Sequence, residues 1–152
     1  MDRSLGRVRK ELVGRFRAVV EGDARWPMFL YGAAGVGKTR GCLALCDHVP
    51  NSCFCVLEEV TKSVLARSDG WLWRLLPDYN LVVVDELATR SKASDLEYTT
   101  LKHLVDARED LPAIYISNVS PDDISRVYDD RIASRVLCGT VVCLEDNDRR
   151  RE

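Results

Sequence analysis

The segment YGAAGVGKTR, residues 31–40, constrains the fold of this chain more than any other part of the sequence. It fits the spacing G-x-x-x-x-G-K-[ST] through Gly32, Gly37, Lys38 and Thr39. In a loop of this kind, successive backbone N–H groups and the N-terminus of the following helix converge on one anion. The loop requires a strand before it and a helix after it, and the flanking residues have both patterns. We therefore expect a strand–loop–helix unit that binds the phosphates of a nucleotide.

Each position of this loop has an expected role. Glycine allows the backbone to approach the phosphates, Lys38 contacts the β- and γ-phosphates, and the Thr39 hydroxyl is a ligand of Mg²⁺. A dinucleotide-binding fingerprint does not fit, because its third glycine position is occupied by Arg40. The expected nucleotide-binding residues are Gly32, Ala33, Ala34, Gly35, Val36, Gly37, Lys38, Thr39 and Arg40.

Short apolar runs alternate with helical patterns along the rest of the chain. The strand-like runs cover residues 28–31, 53–57, 81–84, 114–117 and 141–144. The helical patterns cover residues 38–48, 61–76 with an interruption at 68–70, 95–108 and 122–136. Strands that are apolar on both faces and alternate with helices are typical of a parallel sheet covered on both sides. The predicted fold class is α/β, a P-loop NTPase with three α/β/α layers and a parallel five-stranded sheet.

Composition limits the remaining possibilities. The chain has 152 residues, which suits one domain, and is 46% hydrophobic and 30% charged, the balance of a globular protein. No apolar run approaches the roughly 18–20 residues of a membrane helix, and the N-terminus lacks the apolar core of a secretory signal. The six cysteines are then expected to be reduced thiols in a cytoplasmic protein. Their spacing does not favour a zinc site, because neither close pair has the C-x-x-C pattern.

The N-terminal segment, residues 1–26, is predicted to be a basic amphipathic helix. Residues 1–20 hold six Arg or Lys against Asp2 and Glu11, although the net charge of the whole chain is −2. This local excess is suited to a phosphate backbone or an acidic partner. A solvated helix face opposite the apolar residues Leu5, Leu12, Phe16 and Val19 explains it equally well.

A second strand ends in acidic residues that can complete the nucleotide site. The run LVVVDE, residues 81–86, places Asp85 at the strand end, where it can hold Mg²⁺ through its water shell. Glu86 follows directly and can polarise the attacking water. An apolar run followed by acids is common, but together with the loop at residues 31–40 it predicts nucleotide binding and hydrolysis.

Three polar residues further along the chain are candidate catalytic groups. Asn118 follows the strand at 114–117 and can orient water against a γ-phosphate, although it is also a good turn residue or helix cap. Arg131 and Arg135 lie four apart on one predicted helix face and can reach the γ-phosphate of a neighbouring protomer. An ion pair with Asp129 or Asp130 is the alternative for these arginines.

With these motifs in order, the chain resembles the AAA+ ATPases of the helicase-loader and transposition-accessory clade, relatives of bacterial replicative helicase loaders and insertion-sequence ATP-binding proteins. The resemblance covers nearly all of residues 27–145. LYGAAGVGKTR is similar to the Walker A motif, LVVVDELAT to Walker B, AIYISNVSPDDI to the sensor-1 strand, and DDRIASRVLCGTVVCL to the arginine-finger box and fifth strand. Arg131 then matches the finger position, Arg135 is the second candidate, and Asn118 matches sensor 1.

The resemblance implies a sheet order of 5-1-4-3-2, ATP with Mg²⁺ as cofactors, and a homo-oligomer with ATP sites at protomer interfaces. The implied partners are single-stranded DNA, a replicative helicase or a transposition protein, with no membrane. Residues 59–79, which carry Trp71, Trp73 and Arg74, match the region of DNA-facing helices. Stacking and phosphate contacts suit these side chains, although burial of tryptophan in the core is commoner.

We expect a minimal core that consists of the helix at 1–26, an ATPase core at 27–146 and a basic tail at 147–152, without the N-terminal partner domain and full lid of that clade. Two other functions compete with an ATPase that handles DNA. One is a non-catalytic module whose partner binding depends on nucleotide. The other is a small-molecule P-loop kinase, which the absence of an arginine-rich lid between the last two strands disfavours.

Overall fold

The computed structural model describes residues 3–22, 24–35, 37–65, 74 and 76–144. The strands are β1 (Met28–Tyr31), β2 (Ser52–Val56), β3 (Leu81–Leu87), β4 (Ala113–Ser117) and β5 (Thr140–Cys143). The described α-helices are α1 (Arg3–Val20), α2 (Lys38–His48), α3 (Leu57–Leu65), α4 (Asp95–Ala107), α5 (Pro121–Val127) and α6 (Asp130–Leu137). A short 3₁₀ helix covers Leu76–Asp78. Within these ranges, no helix combines the length and the hydropathy that crossing a membrane requires.

The five strands form one parallel sheet in the order β2-β3-β4-β1-β5. Read from the other edge this is 5-1-4-3-2, so the predicted fold class and strand order are confirmed. β4 lies between β1 and β3, in register at Phe29↔Tyr115 and Val84↔Tyr115. The carboxyl ends of these three central strands meet at one edge of the sheet, where ligands bind in open α/β folds.

Two apolar layers cover the faces of the sheet. Phe29 and Val84 face one cluster of buried residues, whereas Met28, Leu30 and Val83 face the other. Because successive strand residues point to opposite faces, a strand covered on both sides is apolar throughout. This is why the run at 81–84 consists of four apolar residues, each at most 1% exposed.

Helix α1 packs on the sheet through its apolar side. Leu12 and Val19 are 0% and 5% exposed, and the ring of Phe16 meets the edge of Trp26 with centroids 5.8 Å apart. Lys10, Arg15 and Arg17 are exposed. From Lys10 to Val20, the described side chains of α1 are thus apolar where they are buried and mostly basic where they are exposed.

Several predicted ends differ from the structure by one to four residues, among them those of β2, β3 and β5 and the start of α3. Helix α3 begins at Leu57, directly after β2, and not at residue 61. Burial of Leu57 and Val60, three residues apart, and the acidic residues Glu58 and Glu59 in the first turn favour an early start.

The single helix predicted over residues 122–136 is two helices, α5 and α6. They are separated because Asp129 has extended backbone and its carboxylate accepts a hydrogen bond from Ile132 N at 2.9 Å, which caps α6. Trp71, Trp73, the interruption at 68–70 and the tail at 147–152 lie outside the described residues.

One buried arginine stabilises the edge of the sheet at which the parallel strands begin. Arg108 is 3% exposed and donates hydrogen bonds to the carbonyls of Leu76, Tyr79 and Pro112 at 2.8, 2.8 and 2.7 Å. These bonds connect the 3₁₀ helix with the segments that lead into β3 and β4. Burial lowers the pKa of Arg108, whereas Tyr115 and Cys53 oppose this shift.

All six cysteines are free thiols. Among the described residues there is no group of three or more His, Cys, Asp or Glu side chains placed to hold a metal ion.

Candidate nucleotide-binding site

The loop between β1 and α2 has the backbone conformations that its glycines predict. Gly32, Gly35 and Gly37 have φ values of 151°, 86° and 95°, a region that side-chain-bearing residues seldom adopt. At Gly32 there is also no room for a side chain, since a Cβ atom would lie 2.2 Å from the carbonyl oxygen of Leu144. Leu144 N donates to Tyr31 O at 2.8 Å, which fixes the chain after β5 against the start of the loop.

Lys38 turns its amine back into this loop. Its side chain is only 5% exposed, and Nζ donates to the carbonyl oxygens of Gly32 at 2.7 Å and Ala33 at 2.9 Å. Burial lowers the pKa of Lys38, while the nearby Asp85 carboxylate and Cys143 act in the opposite direction. The ammonium therefore lies within the curve of the loop, where phosphate oxygens would replace two weaker acceptors.

The two predicted magnesium ligands lie in contact. Thr39 Oγ1 donates to Asp85 Oδ2 at 2.6 Å, although 46 residues separate them in the sequence. Asp85 is 5% exposed, and its other oxygen, Oδ1, accepts from Glu86 N at 2.7 Å. A carboxylate and a hydroxyl oxygen beside a phosphate-binding loop match the ligands that Mg²⁺ takes in nucleotide sites. These residues fit the predicted ion.

Glu86 lies in a β-bulge of β3. The pairing with β4 passes from Val84↔Tyr115 to Leu87↔Ser117, so β3 contains one residue more than its partner. Glu86 has a φ of 62° and its side chain is exposed, whereas Asp85 before it is buried. The bulge thus turns two adjacent carboxylates in different directions, one toward Thr39 and one toward solvent at the carboxyl edge of the sheet.

Asn118 directly follows β4 and is exposed at the same edge. As the sequence predicts, its strand lies between the strand before the loop and the strand that carries Asp85. Ser117 before it is 1% exposed; its Oγ donates to Leu87 O at 2.8 Å and accepts from Val119 N at 3.2 Å. Ser117 therefore connects the turn containing Asn118 to the strand of Glu86.

Arg131 and Arg135 are both exposed on α6. With Tyr98 and Lys102 of α4 they line a groove of about 560 Å³. Arg135 Nη1 forms an ion pair with Asp106 Oδ1 of α4, so the alternative pairing of Arg135 with Asp129 or Asp130 is wrong. In the described part of the chain, Arg131 has no ion pair.

Asp129 instead organises the start of α6. Besides capping Ile132 N, it accepts a hydrogen bond from Tyr98 Oη at 2.5 Å. The Tyr98 hydroxyl and the Ile132 N–H lower the pKa of Asp129. This carboxylate holds the first turn of α6, which carries Arg131, against α4.

Ser117 and Tyr128 also contribute to this edge of the sheet, and their contacts were not predicted from the sequence. The Tyr128 hydroxyl accepts a hydrogen bond from Ala88 N at 2.8 Å, across 40 residues. Ser117 was detectable as the one polar residue at the end of the apolar run AIYIS. Nothing in the sequence distinguishes Tyr128 from other tyrosines.

No family model matches the sequence, and no curated protein matches it significantly. Solved structures do match. AMPPCP-bound DnaA from Aquifex aeolicus has a TM-score of 0.72 at 17% identity, over 95% of this chain and 48% of that one. The replication initiator DnaA bound to AMPPCP and single-stranded DNA has a TM-score of 0.68 at 17% identity, over 95% and 46%.

The DnaC helicase loader has a TM-score of 0.67 at 13% identity, over 91% of this chain and 89% of that one. This chain thus spans about half of the DnaA chains and most of the DnaC chain. At these identities the similarity concerns the fold alone. In this chain, that fold places the loop, Thr39 and Asp85 in the arrangement described above. The chain therefore has the fold of a P-loop AAA+ core, the fold that it shares with DnaA and the DnaC helicase loader.

Proposed function

We propose that this protein binds ATP with Mg²⁺ and hydrolyses it, as an AAA+ ATPase that acts in DNA replication or transposition in the manner of a helicase loader. The observation that carries the proposal is the contact between Thr39 and Asp85 beside the buried amine of Lys38. A carboxylate with a purely structural role at a strand end would not require a hydroxyl and an ammonium from a glycine-rich loop beside it.

Each polar side chain of the site has a separate role in the proposed hydrolysis. Lys38 leaves its carbonyl partners and donates to the β- and γ-phosphates, and the loop N–H groups hold the remaining phosphate oxygens. Thr39 and Asp85 would hold Mg²⁺, which would neutralise charge on the phosphates. Glu86 accepts the proton of the attacking water, and Asn118 orients that water.

The neighbouring protomer completes the site. Arg131, exposed at the start of α6, is proposed to reach the γ-phosphate bound by the next protomer and to neutralise the charge that develops there. Arg135 is the second candidate, held by Asp106 in the isolated chain. This arrangement requires a head-to-tail homo-oligomer.

The proposed macromolecular partners follow from the similar structures. One DnaA structure contains single-stranded DNA, and the DnaC structure is that of a helicase loader. We therefore propose single-stranded DNA, a replicative helicase or a transposition protein as the partner of the core at 27–146. The basic helix of residues 1–26 is proposed as an additional contact, with Lys10, Arg15 and Arg17 exposed for it.

The test is steady-state ATP hydrolysis per protomer as a function of protein concentration, with and without single-stranded DNA. We expect the rate per protomer to rise with concentration or with DNA. Glu86→Gln should retain ATP binding and lose about 100-fold or more in rate. Arg131→Ala should bind ATP and lose the concentration dependence, with about 1,000-fold lower maximal rate.

Arg126→Ala is the matched control for Arg131→Ala, because Arg126 is an exposed arginine of α5 whose partner is Asp123 on the same helix. It should behave like the wild-type protein. A low rate per protomer that does not change with concentration or DNA, alongside clear ATP binding, would contradict hydrolysis at an interface. That result would favour a nucleotide-dependent interaction module.

A further inference from the structure

The segment after Asp85 departs from regular strand geometry at two residues. Glu86 and Ala88 have φ values of 62° and 58°, and both carry side chains that make this conformation unfavourable. Such a conformation persists only where surrounding contacts hold it. The contacts that hold this segment therefore also fix where the Glu86 carboxylate lies.

Two side chains from other elements hold the backbone of this segment. Ser117 Oγ donates to Leu87 O at 2.8 Å, and Tyr128 Oη accepts from Ala88 N at 2.8 Å. These bonds engage the carbonyl and the N–H of a single peptide unit, the one that joins Leu87 to Ala88. Both polar groups of this unit are thereby satisfied next to the bulge, where the register between β3 and β4 is irregular.

The bond from Tyr128 comes from the segment that also positions α6. Tyr128 immediately precedes Asp129, the capping residue of α6, and Arg131 follows two residues later. Burial raises the pKa of the Tyr128 phenol, so its oxygen remains a neutral hydroxyl over the physiological pH range. One side chain thus connects the bulge that carries Glu86 to the helix that carries Arg131.

We infer that Tyr128 is a positioning residue for Glu86: its hydroxyl holds the Ala88 N–H, and this contact keeps the Glu86 carboxylate in the orientation that activates water. The inference rests on the proposed ATPase function. Tyr128 does not contact the nucleotide loop in the described contacts, so its effect is expected in turnover and not in ATP affinity.

The first experiment compares Tyr128→Phe with the wild-type protein. The variant removes one oxygen atom and keeps the ring. We expect kcat to fall by about 10- to 100-fold, the effect of a small misplacement of a catalytic group, with the dissociation constant of ATP unchanged within about twofold. Tyr79→Phe is the matched control, because Tyr79 precedes β3 at the end of the strand opposite to Glu86. It should leave both values unchanged.

The second experiment separates positioning from a general loss of stability. In single-turnover hydrolysis, Tyr128→Phe added to Glu86→Gln should cause no further loss, because it acts through the carboxylate that is already removed. A further loss equal to that in the wild-type background would overturn the inference.

The outcomes distinguish the two proposals. If the wild-type protein hydrolyses ATP and Glu86→Gln does not, but Tyr128→Phe has the wild-type kcat, only the role of Tyr128 is refuted. If the wild-type protein does not hydrolyse ATP under any condition that permits binding, the proposed function and the role of Tyr128 are both refuted.

Discussion

Replacing Gly32 with alanine tests whether the end of β5 fixes the start of the candidate nucleotide-binding loop. The new Cβ would lie 2.2 Å from Leu144 O, whereas a carbon and an oxygen in contact need about 3.3 Å. The loop and the chain after β5 must therefore separate by about 1.1 Å. Overpacking of this kind costs about 1–3 kcal/mol, and the unfavourable φ of 151° adds about 1–2 kcal/mol.

The expected loss of about 2–5 kcal/mol corresponds to a decrease in Tm of roughly 4–20 °C for a domain of this size. ATP affinity should fall by about tenfold or more, because the carbonyl of Gly32 borders the place where Lys38 Nζ lies. Calorimetric unfolding, with and without ATP and Mg²⁺, measures both effects.

Gly14→Ala is the matched control. A Cβ at this position in the middle of α1 would meet no atom within 4 Å, and alanine stabilises helix interiors by about 0.5–1 kcal/mol relative to glycine. This variant should unfold at the wild-type temperature or slightly above it, with unchanged ATP affinity. The packing argument would be refuted if Gly32→Ala kept the wild-type Tm and the wild-type ATP affinity.

Three further substitutions have expected outcomes. Lys38→Met should abolish ATP binding and lower Tm much less than Arg108→Met, because the two carbonyls that lose the amine belong to Gly32 and Ala33, which are half-buried and exposed. Burial lowers the pKa of Lys38, so its charge disfavours folding below that pKa and this cost disappears as the pH rises to 10.5; the Tm of the wild type relative to Lys38→Met should therefore rise over that range, and a constant difference would contradict it. Arg108→Met should lower the free energy of unfolding by about 3–5 kcal/mol in urea titrations, because three carbonyl groups lose a charged donor, and an unchanged midpoint would contradict this. Asp129→Asn should lower the free energy of unfolding by less than about 1 kcal/mol near neutral pH. Since the pKa of Asp129 is lowered in the folded protein, the difference in Tm between this variant and the wild type should shrink as the pH falls below about 4, and a constant difference would contradict this expectation.

Strong periodicity and the loop motif were sufficient to predict the central elements. The predicted bounds of β1 and α2 agree with the structure, because a phosphate-binding loop leaves little freedom for the strand before it and the helix after it. β3 was recognised because a strand covered on both faces must be apolar at every position. The neighbourhood of Lys38, Thr39 and Asp85 follows from the same constraint, since both chain segments end at one edge of a parallel sheet.

Local capping and contacts between side chains and distant backbone were not predictable. Asp129 was interpreted as a possible ion-pair partner, whereas it ends one helical pattern and begins another by accepting a single N–H. Tyr128 contacts the backbone of Ala88, and Arg108 contacts three carbonyls up to 32 residues away. A backbone group is the same at every residue, so the sequence has no pattern that identifies which one a tyrosine or an arginine will reach.

The two candidate arginines differ in a local contact that helical spacing does not predict. Arg131 and Arg135 lie on one face of α6, and spacing alone gives both the same access to a neighbouring protomer. Arg135 forms an ion pair with Asp106 of its own chain, but both side chains are nearly half exposed, so breaking this pair would cost less than about 1 kcal/mol. Arg131 forms no ion pair within the described residues, although its charge interacts with Asp129, the residue that caps its helical turn. Arg131 therefore stays the first candidate that we propose for a contact in trans, and Arg135, paired with Asp106, stays the second.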